Sequence, residues 1–136
     1  MEILRRQPTV KGPAEWFTGD VHFDVVFRGE APSRTRVNTV RFAPCARTAW
    51  HSHANGQALH VTDGIGLVQS RGGTVVVIRP GDVIWTPPGE EHWHGAAPDH
   101  FMVHTAIWEG DETTWGEHVT DEEYGYPEHV ERLVDR

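Results

Sequence analysis

The sequence predicts an all-β protein whose strands form an antiparallel sandwich or barrel, with a short helical segment near the C-terminus. Two observations predict this class. Short runs rich in β-branched and aromatic residues recur along the chain, and turn-forming residues such as Asn55-Gly56 and Pro80-Gly81-Asp82 separate them. Helix signals, in contrast, are confined to the C-terminal end of the chain.

Nine runs are predicted to be strands, because each combines β-favouring residues with a turn signal at its boundary. Asn55-Gly56 and Asp63-Gly64 have the composition of tight hairpin turns, and Pro87-Pro88-Gly89 breaks the chain before the eighth run. The predicted strands are Val21 to Phe27, Val37 to Phe42, Thr48 to His53, Gln57 to Thr62, Gly64 to Ser70, Thr74 to Ile78, Val83 to Trp85, His92 to Gly95 and Met102 to Trp108.

The two ends of the chain are interpreted differently. Thr120-Asp121-Glu122-Glu123 has the form of a helix capping box, and Pro127 is placed to begin another short turn up to Leu133. The first residues carry no clear pattern. We therefore expect one domain over residues 1–136, with an N-terminal arm (1–19), a barrel core (37–108) and a C-terminal tail (117–136).

Composition limits the possible partners. The net charge is −8 and basic clusters are scarce, which argues against nucleic acid or an anionic membrane as a partner. No apolar run approaches the length of a membrane span, and the first residues do not have the form of an export signal. The lone Cys45 excludes an intrachain disulfide and fits a reducing compartment, so we expect a cytoplasmic protein.

A group of histidines predicts a metal site. His51 and His53 alternate on one predicted strand, so both side chains project from the same face. Gln57 follows the turn at Asn55-Gly56 and can bring its amide oxygen back to the same point, and His92 completes the set from a remote strand. Three imidazoles and one amide oxygen leave positions open on an octahedral ion, which is typical of a catalytic site.

These residues resemble the two motifs of the cupin superfamily. His51, His53, Gln57 and Gly64 fall at the intervals of the first motif, with Gln57 where a glutamate is usual and Cys45 where the first glycine is usual. The second motif is matched by Gly81, Pro87, Gly89 and His92, with Ala96 in place of an asparagine. The resemblance implies a cupin jelly-roll barrel, and the glycine replaced at Cys45 suggests that this corner turns differently from the usual one.

A narrower resemblance is to the small bacterial cupins that include manganese-dependent hydroxynitrile lyases. It is carried by the runs Lys11 to Gly19, Arg47 to His51, Glu91 to Pro98 and Glu117 to Glu122. By position, the resemblance implies that His51, His53, Gln57 and His92 hold the metal and that His94 and His104 assist proton transfer. It also implies manganese as the preferred ion, with iron, zinc, nickel or cobalt as alternatives, and a homodimer formed by sheet packing and exchange of N-terminal strands.

Strand alternation supports the same assignments independently. His94 shares a face with His92, and His104 shares a face with Met102 and Ala106, whereas the more aliphatic face of that last strand would pack outside. An interior of this kind is a mostly apolar pocket with a few polar groups, which suits a small-molecule substrate. The predicted pocket residues are Asn38, Val40, Phe42, Leu59 and Met102.

The ligand set favours Lewis-acid chemistry. Because Gln57 replaces a glutamate, the ligands carry no negative charge and a divalent ion keeps its full charge. Together with this preference, the narrower resemblance implies a metal-dependent lyase of the hydroxynitrile lyase type. Two alternatives stay open: an oxygen-dependent enzyme of the quercetinase or alkene-cleaving kind, and a non-catalytic ligand-binding cupin. His94 could instead only orient His92, and His104 could be a buried histidine without a catalytic role.

Overall fold

The computed structural model describes residues 1–125 and, beyond them, the strand Glu131–Arg132. Within these residues the chain forms fourteen strands and one helix. The strands are β1 (Val10–Lys11), β2 (Phe17–Thr18), β3 (Val21–Arg28), β4 (Thr35–Phe42), β5 (Arg47–Thr48), β6 (His51–His53), β7 (Gln57–Gly64), β8 (Gly66–Ser70), β9 (Val76–Ile78), β10 (Val83–Thr86), β11 (His92–Ala96), β12 (Met102–Glu109), β13 (Thr113–Trp115) and β14 (Glu131–Arg132), and the helix is α1 (Asp121–Tyr124).

The strands form two curled sheets that face each other and enclose the core. Sheet A has the strand order β1-β3-β4-β12-β7-β10, and sheet B has the order β13-β6-β11-β8-β9-β14, with β5 beside β11 and β2 beside β5. Pairing is antiparallel throughout the described residues except between β14 and β9. The prediction of an antiparallel all-β barrel is confirmed, and the topology brings β6 next to β11 in one sheet.

The nine predicted strands are all present, with one interruption. The run from Thr48 to His53 is divided into β5 and β6, because its middle residues bond to other parts of the chain. The Ala49 amide donates to the Trp16 carbonyl and the Trp50 amide donates to the Glu117 carbonyl. This break lets the two halves of one run pair with different regions of the protein.

The N-terminal arm is better ordered than its sequence predicts. β1 pairs with β3, and β2 pairs with β5. The aromatic side chains Phe17 and Phe23 pack against the core of their own chain, and Trp16 stacks on Trp115 with ring centroids 5.1 Å apart. These aromatic residues therefore have neighbours within their own chain.

The hydrophobic core has two parts. One lies between the sheets and consists of Val21, Val40, Phe42, Ala46, Val61, Ile78, Ala96 and Met102. The other lies on the outer side of sheet B, where Trp50 and Trp93 pack beneath Val119 and Tyr124 of the C-terminal segment. Both tryptophans neighbour predicted metal ligands in sequence, and their burial in this second cluster places them on the side of sheet B away from those ligands.

Cys45 lies at the corner where the cupin motif usually has glycine. Its φ is +70°, which is the left-handed conformation that glycine adopts most easily. The corner therefore turns as a glycine would turn it, contrary to the expectation of a different turn. Gly64 also has a positive φ, of 76°, and a side chain there would overlap the Phe101 carbonyl oxygen.

The C-terminal segment is attached by buried polar contacts. Thr120 and Glu123 form the predicted capping box at the start of α1. The buried Arg47 guanidinium donates to the Val119 carbonyl and to Asp121, and the Tyr124 hydroxyl donates to the Ala96 carbonyl. The predicted turn from Pro127 to Leu133 lies outside the described residues, apart from β14, which is extended. Across the described residues, no helix is long and apolar enough to cross a lipid bilayer.

Candidate metal centre

Three histidines meet between the sheets because their strands are neighbours in sheet B. His51 and His53 lie on β6, and His92 at the start of β11 is the direct cross-strand partner of His51. One ring nitrogen from each of the three lies within 4.8 Å of the other two, and all three side chains are buried. The structure thus brings together the three histidines that the sequence predicts as ligands.

The Nδ1 atom of each of the three rings, which faces away from the cluster, lies within hydrogen-bond distance of another protein group. His51 Nδ1 lies 2.9 Å from the Ala49 carbonyl oxygen, and His92 Nδ1 lies 3.0 Å from the Glu90 carbonyl oxygen. His53 Nδ1 lies 3.1 Å from the hydroxyl of Thr113. An Nδ1–H that donates to these acceptors leaves the lone pair on Nε2, which is the arrangement found in metal-binding histidines.

The Nε2 atoms of the histidines and the amide oxygen of Gln57 form a group of lone pairs that suits a cation. His53 Nε2 is buried and has no hydrogen-bond partner. His92 Nε2 lies 3.3 Å from the Gln57 amide oxygen, and when Nδ1 of His92 carries the ring proton, these two atoms are both acceptors. Such facing lone pairs are stabilised by a positive ion between them, so this three-histidine site could hold a divalent metal, with Gln57 beside it.

The electrostatics of the cluster favour neutral rings. Burial lowers the pKa of His51 well below its usual value, and a charge on His92 would lower it further. Burial, together with His92, lowers the pKa of His53 to about 4, and burial also lowers the pKa of His92. Neutral imidazole is the form that binds metals, so near neutral pH the rings need not release a proton to do so.

A second pair of histidines adjoins this cluster. His104 Nε2 lies 2.9 Å from His94 Nδ1, and the His94 ring lies close to the rings of His51 and His92, at 5.2 and 5.6 Å between centroids. His94 Nε2 and His104 Nδ1 are buried and have no hydrogen-bond partner. The predicted assisting residues are therefore joined to each other, and His94 is the one that adjoins the candidate ligands.

Both histidines of the pair are buried, as the candidate ligands are. Burial lowers the pKa of His94 well below its usual value, and a charged His104 would lower it further. Burial also lowers the pKa of His104 to about 4. Both imidazoles are therefore neutral at physiological pH, and each keeps one nitrogen able to accept a proton.

A cavity of 440 Å³ opens onto this centre. Its lining includes Asn38 and Val40 among the predicted pocket residues, and it is otherwise mainly aromatic. Phe42, Leu59 and Met102 are not part of the lining, and all three are almost fully buried. The remaining wall residues include Phe17, Phe23, Ala106, Trp108, Thr113 and Trp115, with Arg28 and Asp111 as charged groups.

His104 is fully buried and is not part of the cavity lining, whereas His94 is. The sequence interpretation named both as assisting residues and left open that His104 is a buried histidine without a catalytic role. Thr113 and Trp115, which do line the cavity, were not predicted as site residues. One sequence feature of these two residues is their spacing: Thr113 and Trp115 are two residues apart, as are their partners His53 and His51 on the neighbouring strand. The other described histidines, namely His22, His60, His100 and His118, are exposed, and His129 lies outside the described residues.

Comparisons with known proteins identify relatives that cover most of this chain. A protein from Granulicella tundricola named (R)-mandelonitrile lyase is 53% identical over 129 residues, which cover 91% of this chain and 98% of that protein. A crystal structure of a cupin-like protein from Thermotoga maritima is 41% identical, covers 91% of this chain and 95% of its own, and superposes with a TM-score of 0.81.

A more distant structure shows the same fold. A cupin 2 conserved barrel domain protein from Rhodopseudomonas palustris is 17% identical, covers 85% of this chain and 79% of its own, and has a TM-score of 0.67. The family described as Cupin domain matches residues 38–114, which include β6, β7, β11 and the greater part of the cavity wall. The chain belongs to the cupin family.

Proposed function

We propose that this protein is a metal-dependent lyase that cleaves cyanohydrins into an aldehyde and hydrogen cyanide. The observation that carries the proposal is the adjacency of the three-histidine centre to His94, whose free Nε2 belongs to a side chain in the cavity wall. The 53% identity to a protein named (R)-mandelonitrile lyase supports the same reaction class.

The proposed ligands are His51, His53, His92 and the amide oxygen of Gln57, and the proposed ion is Mn²⁺, with iron, zinc, nickel or cobalt as alternatives. When bound, a divalent ion supplies a Lewis acid that polarises the substrate oxygen. The four ligand side chains carry no negative charge, so the ion's charge is not offset by them. This favours binding of an alkoxide or carbonyl oxygen.

His94 is the proposed acid–base residue. It accepts the cyanohydrin hydroxyl proton at Nε2 while its Nδ1–H donates to Nε2 of His104. The bond between the hydroxyl-bearing carbon and the nitrile carbon breaks, its electron pair leaves with cyanide, and the carbon–oxygen double bond forms. The proton on His94 then passes to cyanide, which gives hydrogen cyanide.

His104 is proposed to act through His94. Its side chain is fully buried and does not line the cavity, so it does not reach the substrate directly. Its Nε2 can accept a hydrogen bond from His94 Nδ1–H, which keeps the lone pair of His94 at Nε2. The same hydrogen bond stabilises the His94 imidazolium once it forms. We therefore assign His104 as a positioning residue.

The cavity wall favours a small aromatic substrate. Phe17, Phe23, Trp108 and Trp115 supply ring surfaces, and the volume of 440 Å³ is in the range typical of small-molecule sites. Asn38 is a polar group on the opposite wall from the histidines, which lets it bind one heteroatom of the substrate. A benzaldehyde cyanohydrin is therefore the first substrate to test.

The experiment is mandelonitrile cleavage by metal-free and Mn²⁺-loaded protein, with metal content measured on each sample. We expect benzaldehyde release to rise in proportion to bound Mn²⁺ and to be lost together with the metal in His51→Ala. His60→Ala, which changes an exposed histidine on the outer face of β7, is the matched control and should keep full activity. A fully loaded wild-type protein without cleavage would reject the lyase proposal.

We also propose a homodimer, formed through the outer face of sheet A. An apolar row crosses five strands of that sheet in direct register: Trp85, Ala58, Ile107, Val37 and Phe27. Trp85 is 59% exposed and Ile107 is 43% exposed, so the described part of the chain does not cover the row. A second copy presents the same row, and two such rows can pack together without burying an unpaired charge.

We propose a cytoplasmic location for the protein. Cys45 is free and exposed, and an exposed thiol persists in a reducing compartment.

A further inference from the structure

We propose that Thr113 is a positioning residue of the metal centre, which holds His53 in the ring tautomer that presents Nε2 to the ion. This inference rests on the proposed metal site and adds to it a residue outside the ligand set. It also gives β13 a role in the chemistry, although this strand has only three residues and lies at the edge of sheet B.

The pairing of β13 with β6 brings Thr113 to His53. Thr113 is the direct antiparallel partner of His53, and Trp115 is the direct partner of His51. Directly opposed residues in an antiparallel pair project from the same face of the sheet. Accordingly, Thr113 Oγ1 lies 3.1 Å from His53 Nδ1, and the Trp115 ring stacks on the His51 ring with centroids 4.6 Å apart.

The three candidate histidine ligands differ in what holds their outer nitrogen. His51 and His92 use backbone carbonyl oxygens, and a carbonyl is present whatever side chain occupies the position. His53 uses the hydroxyl of Thr113. A single side-chain substitution can therefore remove the acceptor that holds His53, whereas it cannot remove the carbonyl oxygens that hold the other two ligands.

The hydroxyl matters because a neutral imidazole has one ring proton and two places for it. When Nδ1 carries the proton and donates it to Thr113, the lone pair remains on Nε2, where the ion would bind. His53 Nε2 is buried and has no hydrogen-bond partner of its own. Without the hydroxyl, the proton is free to move to Nε2, where it would block the ion.

The first test is Mn²⁺ affinity, measured from the electron paramagnetic resonance signal of free Mn²⁺ during titration of the metal-free protein. Thr113→Val removes the hydroxyl and keeps the branched shape, and we expect it to weaken binding about 10- to 100-fold. Thr113→Ser keeps the hydroxyl and should bind within about threefold of the wild type. An affinity of Thr113→Val within about threefold of the wild type would overturn the proposal.

The matched control is Thr114→Val on the same strand. Thr114 is exposed and pairs with Ser52. Thr114→Val therefore changes the β-propensity of β13 as much as Thr113→Val does, but it removes no contact with His53. Its Mn²⁺ affinity should equal that of the wild type. Equal losses in Thr114→Val and Thr113→Val would show that the strand matters rather than the hydroxyl, and would reject the assignment.

A second readout does not depend on bound metal. Nitrogen-15 NMR of the metal-free protein distinguishes the two tautomers of each histidine. We expect His53 to carry its proton on Nδ1 in the wild type and in Thr113→Ser, and to populate the Nε2–H form in Thr113→Val. A wild-type His53 that is mainly protonated on Nε2 would overturn the inference. If no variant bound Mn²⁺, the proposed function would fail, while the tautomer would still decide the role of Thr113.

Discussion

His104 Nε2 and His94 Nδ1 are 2.9 Å apart, and this hydrogen bond joins a ring in the cavity wall to a ring that does not reach the cavity. The bond divides the two predicted assisting histidines into unequal roles. His94 lines the cavity, and in the proposed mechanism His104 fixes the ring orientation and tautomer of His94.

The first prediction compares these two histidines. We expect His94→Ala to lower kcat for mandelonitrile cleavage about 10²- to 10⁴-fold, because it removes the acid–base group. His104→Gln should have a smaller effect, because its amide can still accept a hydrogen bond from His94. Steady-state kinetics at matched Mn²⁺ content measure both, and a larger loss in His104→Gln than in His94→Ala would contradict the assignment.

The second prediction concerns stability against pH in the metal-free protein. The pKa values of His53 and His104 are lowered to about 4 in the folded state, against 6.5 for an unperturbed histidine. Between these values the unfolded chain binds protons that the folded protein does not. The free energy of unfolding should therefore fall as pH decreases from 6.5 towards 4, by at most about 1.4 kcal/mol per pH unit for each histidine.

Urea denaturation at pH 7.5, 6.5, 5.5 and 4.5 measures this dependence. His104→Leu removes one of the titrating groups and should flatten the slope below pH 6.5, whatever its effect on stability at pH 7.5. A free energy of unfolding that stays constant between pH 6.5 and 4.5 would contradict the prediction.

The third prediction concerns metal and thermal stability. Because the three-histidine centre exists only in the folded protein, an ion that binds there stabilises the fold by about 2.7 kcal/mol at a free concentration of 100 Kd. Calorimetry with and without Mn²⁺ should therefore show a higher Tm for the loaded wild type. The Tm of His53→Ala should not respond to Mn²⁺, and an equal response in both proteins would place the ion elsewhere.

The fourth prediction concerns Cys45. A left-handed backbone costs a non-glycine residue about 1–2 kcal/mol, and glycine loses about 0.5–1 kcal/mol through its freer unfolded chain. Cys45→Gly should therefore raise the free energy of unfolding by about 0.5–1 kcal/mol. Cys45→Ala removes the thiol but keeps the strained φ, so it should give no gain. Denaturant titration distinguishes these outcomes, and equal stabilisation by both variants would point to the thiol.

The fifth prediction concerns assembly. Light scattering after size-exclusion chromatography should give the mass of a dimer for the wild type and of a monomer for Trp85→Glu, which places a charge in the apolar row. Phe101→Glu is the matched control, because Phe101 is 53% exposed but lies outside the row. A monomeric wild type at micromolar concentration would refute the dimer.

Much of the fold could be predicted from local pattern. β4, β7 and β12 are long strands in which inward and outward residues alternate, so their faces could be assigned from sequence alone. β1, β2 and β13 could not, because two or three residues contain too little alternation to be recognised. Such short strands form because a neighbouring strand offers them a partner, which is a property of the tertiary structure.

The pocket shows where alternation stops being informative. Asn38, Val40 and Phe42 share the inward face of β4, but Asn38 and Val40 line the cavity whereas Phe42 does not. Alternation fixes which face a residue occupies and says nothing about its depth along the barrel. The same reason explains why Leu59 and Met102 were assigned to the pocket although they lie in the core.

The division of the cavity between the two sheets has a consequence for how the protein can diversify. The candidate histidine ligands lie on sheet B, and two of them are held by main-chain carbonyls, whereas β3, β4 and β12 of sheet A supply the opposite wall. Mutations in that wall can change the accepted substrate while the histidines keep their positions. Substrate range and metal retention are thus open to separate selection, in nature and in a laboratory library confined to the cavity-lining residues of β3, β4 and β12.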